Sequence, residues 1–112
     1  MSPCPPPTPE LSELAAVLGE ENVQTLVRTF LRDFPISFQE LGGGDRKNRH
    51  RLAHSMKSNA RLMGAHALSQ RMAELENRLS LESGEDITPQ DLTAINREYE
   101  EAAGPLRMFV GQ

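Results

Sequence analysis

The sequence predicts an all-α fold, an antiparallel up-down four-helix bundle with a short additional N-terminal helix. Three observations predict it. Apolar residues recur at three-and-four spacing in four long segments, no stretch alternates with a period of two, and short runs rich in Gly, Pro, Ser and Asp separate the segments. A chain of 112 residues with 38% apolar content can fill one core and not two. Residues 1–8 are expected to form a Pro-rich disordered arm and residues 9–112 one helical bundle domain.

Each element has its own signal. "MSPCPPPTP" holds five prolines in nine residues and is expected to be extended. Thr8 can cap free amides and Pro9 is tolerated in a first turn, so a short helix runs from there to about Leu18 and ends at Gly19. Val23, Leu26, Val27, Phe30, Leu31, Phe34, Phe38 and Leu41 mark a second helix, with a kink expected at Pro35. The glycines at 42–44 release the chain, and Asp45 caps a basic third helix whose apolar face is Leu52, Ala53, Met56, Ala60 and Met63. Gly64 breaks it. Leu68, Met72, Leu75 and Leu79 define a fourth helix. Thr88, Pro89 and Asp91 start a fifth, whose stripe runs Leu92, Ile95, Tyr99, Ala102, Leu106 and Val110, with a kink or early end at Gly104–Pro105.

Charge narrows the function classes. The net charge of −4 hides an asymmetry: Asp45 to Arg61 holds six Lys/Arg against one acid, whereas Glu74 to Glu101 holds nine acids against Arg78 and Arg97. A basic element on an acidic protein attracts an acidic protein surface or a phosphoryl group. Nucleic acid is not an expected partner, since the chain is acidic overall and poor in aromatic residues. No run reaches the roughly 20 apolar residues of a membrane span, and no secretory signal opens the chain, so no membrane association and a cytoplasmic location are expected. Cys4 alone can form neither an intramolecular disulfide nor a thiolate metal cage.

The candidate site lies on the basic helix. At about 100° per residue, His54 projects roughly 150° from a core stripe centred near Met56, and so faces water. Lys47, His50, Lys57, Ser58 and Arg61 share its outer half. An exposed neutral imidazole can act as a nucleophile, and an ammonium group one turn along can stabilise the oxygens of a phosphoryl group placed on it.

"LAHSMKSNARLMGAHALSQRMAELENRL" resembles the signature of histidine-containing phosphotransfer (Hpt) domains, in which His-x-x-Lys-Gly-Ser-Ala, a following Gly-Ala and a Leu-Glu one helix later recur. The likeness extends over about 11–110, including the long preceding helix with a Pro near its end and the Asp nine residues before the histidine. It implies that His54 is the phosphoacceptor, that Lys57 stabilises the phosphoryl group, and that Glu76 orients the imidazole. Read from the residues alone, Glu76 is equally a surface carboxylate paired with Lys or Arg. Expected partners are response-regulator receiver domains and a sensor histidine kinase, docking on His50, Arg51, Ser58, Arg61 and Leu62. No intrinsic cofactor or metal is expected, and Mg2+ belongs to the receiver. The chain lacks a nucleotide-binding loop, so it is a carrier and no kinase by itself. A monomer is expected, the apolar residues being consumed by the bundle.

Ser58 and Asn59 stand where the family usually has Gly and Ser, which is expected to slow transfer or alter partner choice without removing the chemistry. Arg49 occupies a usually apolar position, implying a looser start to the helix. Two rival readings follow from the same residues. His50 and His54 share a spacing that can hold zinc, although a third ligand is lacking and the surrounding cations oppose it. Alternatively, the chain is a non-catalytic Hpt-like module that docks a receiver or kinase without accepting phosphate.

Overall fold

The computed structural model describes residues 5–81 and 83–112. The first four residues of the Pro-rich arm, Cys4 among them, and Glu82 lie outside this range. Five helices follow in order: α1 Pro9–Leu18, α2 Glu20–Leu41, α3 Arg46–Leu62, α4 His66–Ser80 and α5 Pro89–Val110. No strand occurs among the described residues.

The helix starts are capped as their sequences predict. Thr8, Asp45 and Thr88 accept from the backbone amides of Leu11, Asn48 and Asp91, and Thr88 and Asp91 complete a reciprocal capping box. The Thr8 hydroxyl also donates to the Met63 carbonyl at 3.0 Å, tying the start of α1 to the end of α3. Gly64, at φ +77°, makes that junction possible. A Cβ there would lie 2.6 Å from Thr8 and 2.7 Å from Glu10, so a side chain would be both strained and obstructed.

The buried stripes build one core. α2 packs against α3 and α5, α4 packs against α3 and α5, and α1 rests on α2. Leu52, Ala53, Met56, Ala60 and Met63 are all buried, as are Leu68, Met72, Leu75 and Leu79. In α5 the stripe departs from the expected one: Ala103 and Phe109 are buried, whereas Leu92 and Ala102 are only partly so. The helix continues through Gly104 and Pro105 to Val110. Continuation lets Leu106, Phe109 and Val110 add apolar burial at the end of the core, which offsets the missing proline donor.

Pro35 likewise sits inside an unbroken α2. Having no N–H, it leaves the carbonyl of Leu31, four residues earlier, without its helical donor. The Tyr99 hydroxyl donates to that carbonyl at 3.3 Å, from a ring stacked on Phe34 at 4.8 Å between centroids. The bond is buried, so Tyr99→Phe should destabilise the fold by about 1 kcal/mol and lower Tm by roughly 5 °C, measured by thermal denaturation. An unchanged Tm would show that the freed carbonyl needs no partner.

Two arginines at the start of α3 do structural work that the sequence does not disclose. Arg46 donates to the carbonyls of Arg78, Leu79, Leu81 and Gly84 at 2.8–3.2 Å, capping the C-terminal end of α4 with a cation. Arg49 forms a two-pronged pair with Asp86 at 2.6 and 2.9 Å and donates to the Gly44 carbonyl at 2.6 Å. Its side chain is only 14% exposed. The start of α3 is therefore fastened to the α4–α5 connection, and the expectation of a looser start is corrected: a guanidinium with a carboxylate partner serves where an apolar side chain would pack.

Candidate functional site

His54 emerges from α3 on the side opposite the buried stripe, with 61% of its side chain exposed. Exposure follows from the helical period, because Leu52, Ala53, Met56 and Ala60 take the core-facing positions. The ring is nevertheless held. Its Nδ1 meets Glu76 Oε2, from α4, in a short contact. The other carboxylate oxygen, Oε1, accepts from Lys57 Nζ at 2.6 Å. Glu76 adjoins Leu75 on the edge of the buried face of α4, and its side chain is 16% exposed.

This carboxylate bridges two residues that stand one turn apart on α3. Partial burial pushes its pKa up, but hydrogen bonds from Lys57 and His54, with their charges, outweigh burial and hold it below the ordinary value. An ionised carboxylate only accepts hydrogen bonds, so Nδ1 carries the ring proton. In the neutral ring the lone pair is then on Nε2, which makes no hydrogen bond among the described residues.

Both open readings of Glu76 meet in one geometry: it is paired with a lysine and it contacts the imidazole. A helical wheel misses the second contact, because it measures angle from the core and ignores the reach of a glutamate on the neighbouring helix.

The other sequence-predicted residues spread along α3. Ser58 is exposed, one turn beyond His54, and its hydroxyl donates to the His54 carbonyl at 3.2 Å. Arg61 is exposed and Leu62 is 41% exposed. Toward the other end, Arg51 is exposed and donates to Asn48 Oδ1 at 2.6 Å, while His50 is half-buried on a groove with Lys47 and Leu79. The third histidine, His66, faces Glu10 at 2.8 Å.

The cationic face is narrower than residue counting implies. Arg46 and Arg49 are spent on carbonyls and on Asp86, and Lys57 is compensated by Glu76. Lys47, Arg51 and Arg61 remain exposed on the helix. Sequence reasoning also leaves out α1, which contributes Leu14 and Val17 to an open groove beside Ser58 and Leu62. The one signal that could have found it is that Leu14 and Val17 stand three residues apart, and so on one face of the short N-terminal helix.

The imidazole is held through one nitrogen and open at the other, and the lysine one turn along shares its carboxylate partner. A model of one protein family, described as Hpt domain, matches residues 10–104. The chain belongs to the Hpt domain family. Neither a comparison with curated proteins nor one with solved structures gave a match. As an Hpt domain, the chain is a phosphotransfer module of the phosphorelay type, a class that interacts with receiver domains and kinases. Among the described residues no helix is long and apolar enough to cross a membrane.

Besides the exposed Asp33, three carboxylates of this Hpt domain, Glu76, Asp86 and Asp91, are held low by partners that the fold brings to them, and the fold is expected to weaken in acid. Arg49, and the Ile87 amide, hold Asp86 low, while Arg78 and Thr88 outweigh the burial that would raise Asp91. Glu76 is the third. Each favours the folded state above the unfolded carboxylate pKa of about 4, and that contribution is lost as pH falls through the depressed values. Tm should therefore drop as pH is lowered from about 5 to 3, and drop less steeply in Glu76→Gln. Parallel profiles for the two proteins would show that Glu76 contributes nothing to the slope.

Proposed function

We propose that this Hpt domain is a phosphoryl carrier, accepting the group on His54 from a receiver-domain aspartate or a kinase and passing it to another receiver. The single observation behind this reading is the Glu76 bridge, which engages His54 Nδ1 and Lys57 together and leaves Nε2 open. The ring of contacts among α2, α3, α4 and α5 supports an antiparallel up-down four-helix bundle as the scaffold. We place it in the cytoplasm as a monomer, with protein partners and no nucleic acid or membrane.

In the transfer, Nε2 attacks phosphorus in line and the P–O bond to the receiver's aspartate breaks, so the aspartate leaves as a carboxylate. The N–P bond forms on a ring that keeps its Nδ1 proton and so gains positive charge. Glu76, already against Nδ1, stabilises that charge. Lys57 is positioned one turn away to exchange a carboxylate oxygen for a phosphoryl oxygen. Magnesium held by the receiver's acidic residues would neutralise the remaining phosphoryl charge; this chain supplies no ligand to it in the proposal. The reverse sequence delivers the group to a second receiver.

Incubation with a receiver carrying a labelled aspartyl phosphate tests the reading. Label should move to this chain in an acid-labile, alkali-stable form. Stable docking with no label transferred would favour the alternative, a regulatory binding module.

A further inference from the structure

α3 and α4 pack more extensively than any other pair of helices. Among the described residues, hydrogen bonds cross between them at three levels. Toward the start of α3 the Arg46 guanidinium donates to the Arg78 and Leu79 carbonyls, and midway Glu76 takes His54 and Lys57. At the third level the Ser69 hydroxyl donates to the Lys57 carbonyl at 3.3 Å. The first level caps α4 and the second holds the imidazole. Ser69, half-buried near the start of α4, has no such role in the fold or in the transfer.

The Glu76 bridge tolerates little displacement. One carboxylate serves two donors a turn apart on α3, and hydrogen bonds weaken steeply once distance or angle departs from the ideal. The apolar faces of the two helices, Met56 and Ala60 on α3 with Met72 and Leu75 on α4, resist separation. Burial is non-directional, however, and does not fix how far one helix slides or pivots on the other.

Directional bonds do. Arg46 alone would let α3 pivot about it, and Lys57 lies eleven residues further on, a lever of about 16 Å at the helical rise of about 1.5 Å per residue. A second anchor beyond His54 removes that freedom. Ser69 supplies it at the residue that matters, since Lys57 is held through its ammonium group by Glu76 and through its carbonyl by Ser69.

We propose that Ser69 is a positioning residue for the phosphoryl-accepting site: by pinning the backbone of Lys57 to α4, it keeps Glu76 within reach of both His54 Nδ1 and the Lys57 ammonium group. The use of this geometry in transfer rests on the carrier reading. In that reading Lys57 lets go of Glu76 when the phosphoryl group arrives, so one α3–α4 bond is given up. The Ser69 bond goes to the backbone and persists, leaving Glu76 against the charged ring.

Ser69→Ala, Ser69→Thr and Tyr99→Phe variants of the full chain would be compared with the wild type by nitrogen NMR, at a pH where the His54 ring is neutral and with no partner present. Label transfer from a receiver carrying a labelled aspartyl phosphate would follow. Ser69→Ala should raise the fraction of the Nε2-protonated tautomer severalfold and slow transfer about threefold to tenfold. Ser69→Thr, which keeps the hydroxyl, should restore both. Tyr99→Phe is the control: it removes a buried bond between α5 and α2, and should lower Tm without moving the tautomer. A tautomer ratio unchanged in Ser69→Ala overturns the inference, whatever happens to Tm or rate. An equal shift in Tyr99→Phe overturns it too, because the site would then respond to any loss of stability. A shift seen in Ser69→Ala and absent from Tyr99→Phe, with no label on the wild-type chain, supports the positioning role and overturns the carrier reading.

Discussion

Replacing His54 by Gln abolishes acceptance of the phosphoryl group. The expected loss is about a thousandfold or more, to background, equivalent to at least about 4 kcal/mol of transition-state stabilisation. The fold should hardly notice. His54 is largely exposed, a glutamine amide can still donate to Glu76, and Glu76 retains Lys57, so stability should change by less than about 1 kcal/mol. Receiver docking should likewise persist, which separates loss of the nucleophile from loss of the partner. Label appearing undiminished on the variant would place the acceptor elsewhere, and His50, one turn away on the same helix, would then be examined by the same substitution.

Replacing Glu76 by Ala slows transfer on the order of 100-fold, while Glu76→Gln slows it about tenfold. Alanine removes the acceptor for Nδ1–H, the counter-charge for the phosphorylated ring and the partner of Lys57 in one step. Glutamine keeps one oxygen that can accept from the ring, but its NH2 replaces the oxygen that accepts from Lys57, so the charge and the lysine contact are lost while the ring keeps its partner. The graded series is the test, because a carboxylate that merely braces α3 against α4 would show equal rates in both variants. Nitrogen NMR of the imidazole supplies a second readout: the Nδ1-protonated tautomer should dominate in the native chain and give way to a mixture in Glu76→Ala. A tautomer ratio unmoved by the substitution would contradict the orienting role, whatever happened to the rate.

Much of this architecture is legible in the residues. α1 begins and ends as Thr8–Pro9 and Gly19 dictate, and Asp45 and Thr88 start their helices, because a cap satisfies amides within its own turn. The fate of the prolines is not legible. Pro35 is tolerated because a distant group compensates, Tyr99 donating to the freed Leu31 carbonyl, and Pro105 because the turn that follows it is buried against the core. Arg46 and Arg49 illustrate the same point for charge. In sequence they add to a cationic face; in space they hold carbonyls and Asp86 more than 30 residues away.

The sequence by itself determined that His54 points outward on a basic helix, since a 3.6-residue period assigns every residue of a helix to a face once the apolar stripe is known. It also determined the neighbourhood of His54 within α3, Lys57 and Ser58 included. Only the tertiary structure decided that Glu76 spans the imidazole and Lys57 at once, which cations remain free, and that α1 opens a groove beside the site. Those depend on how one helix is placed against another, through side chains such as Glu76 that lie 22 residues from His54, and no local pattern records that distance.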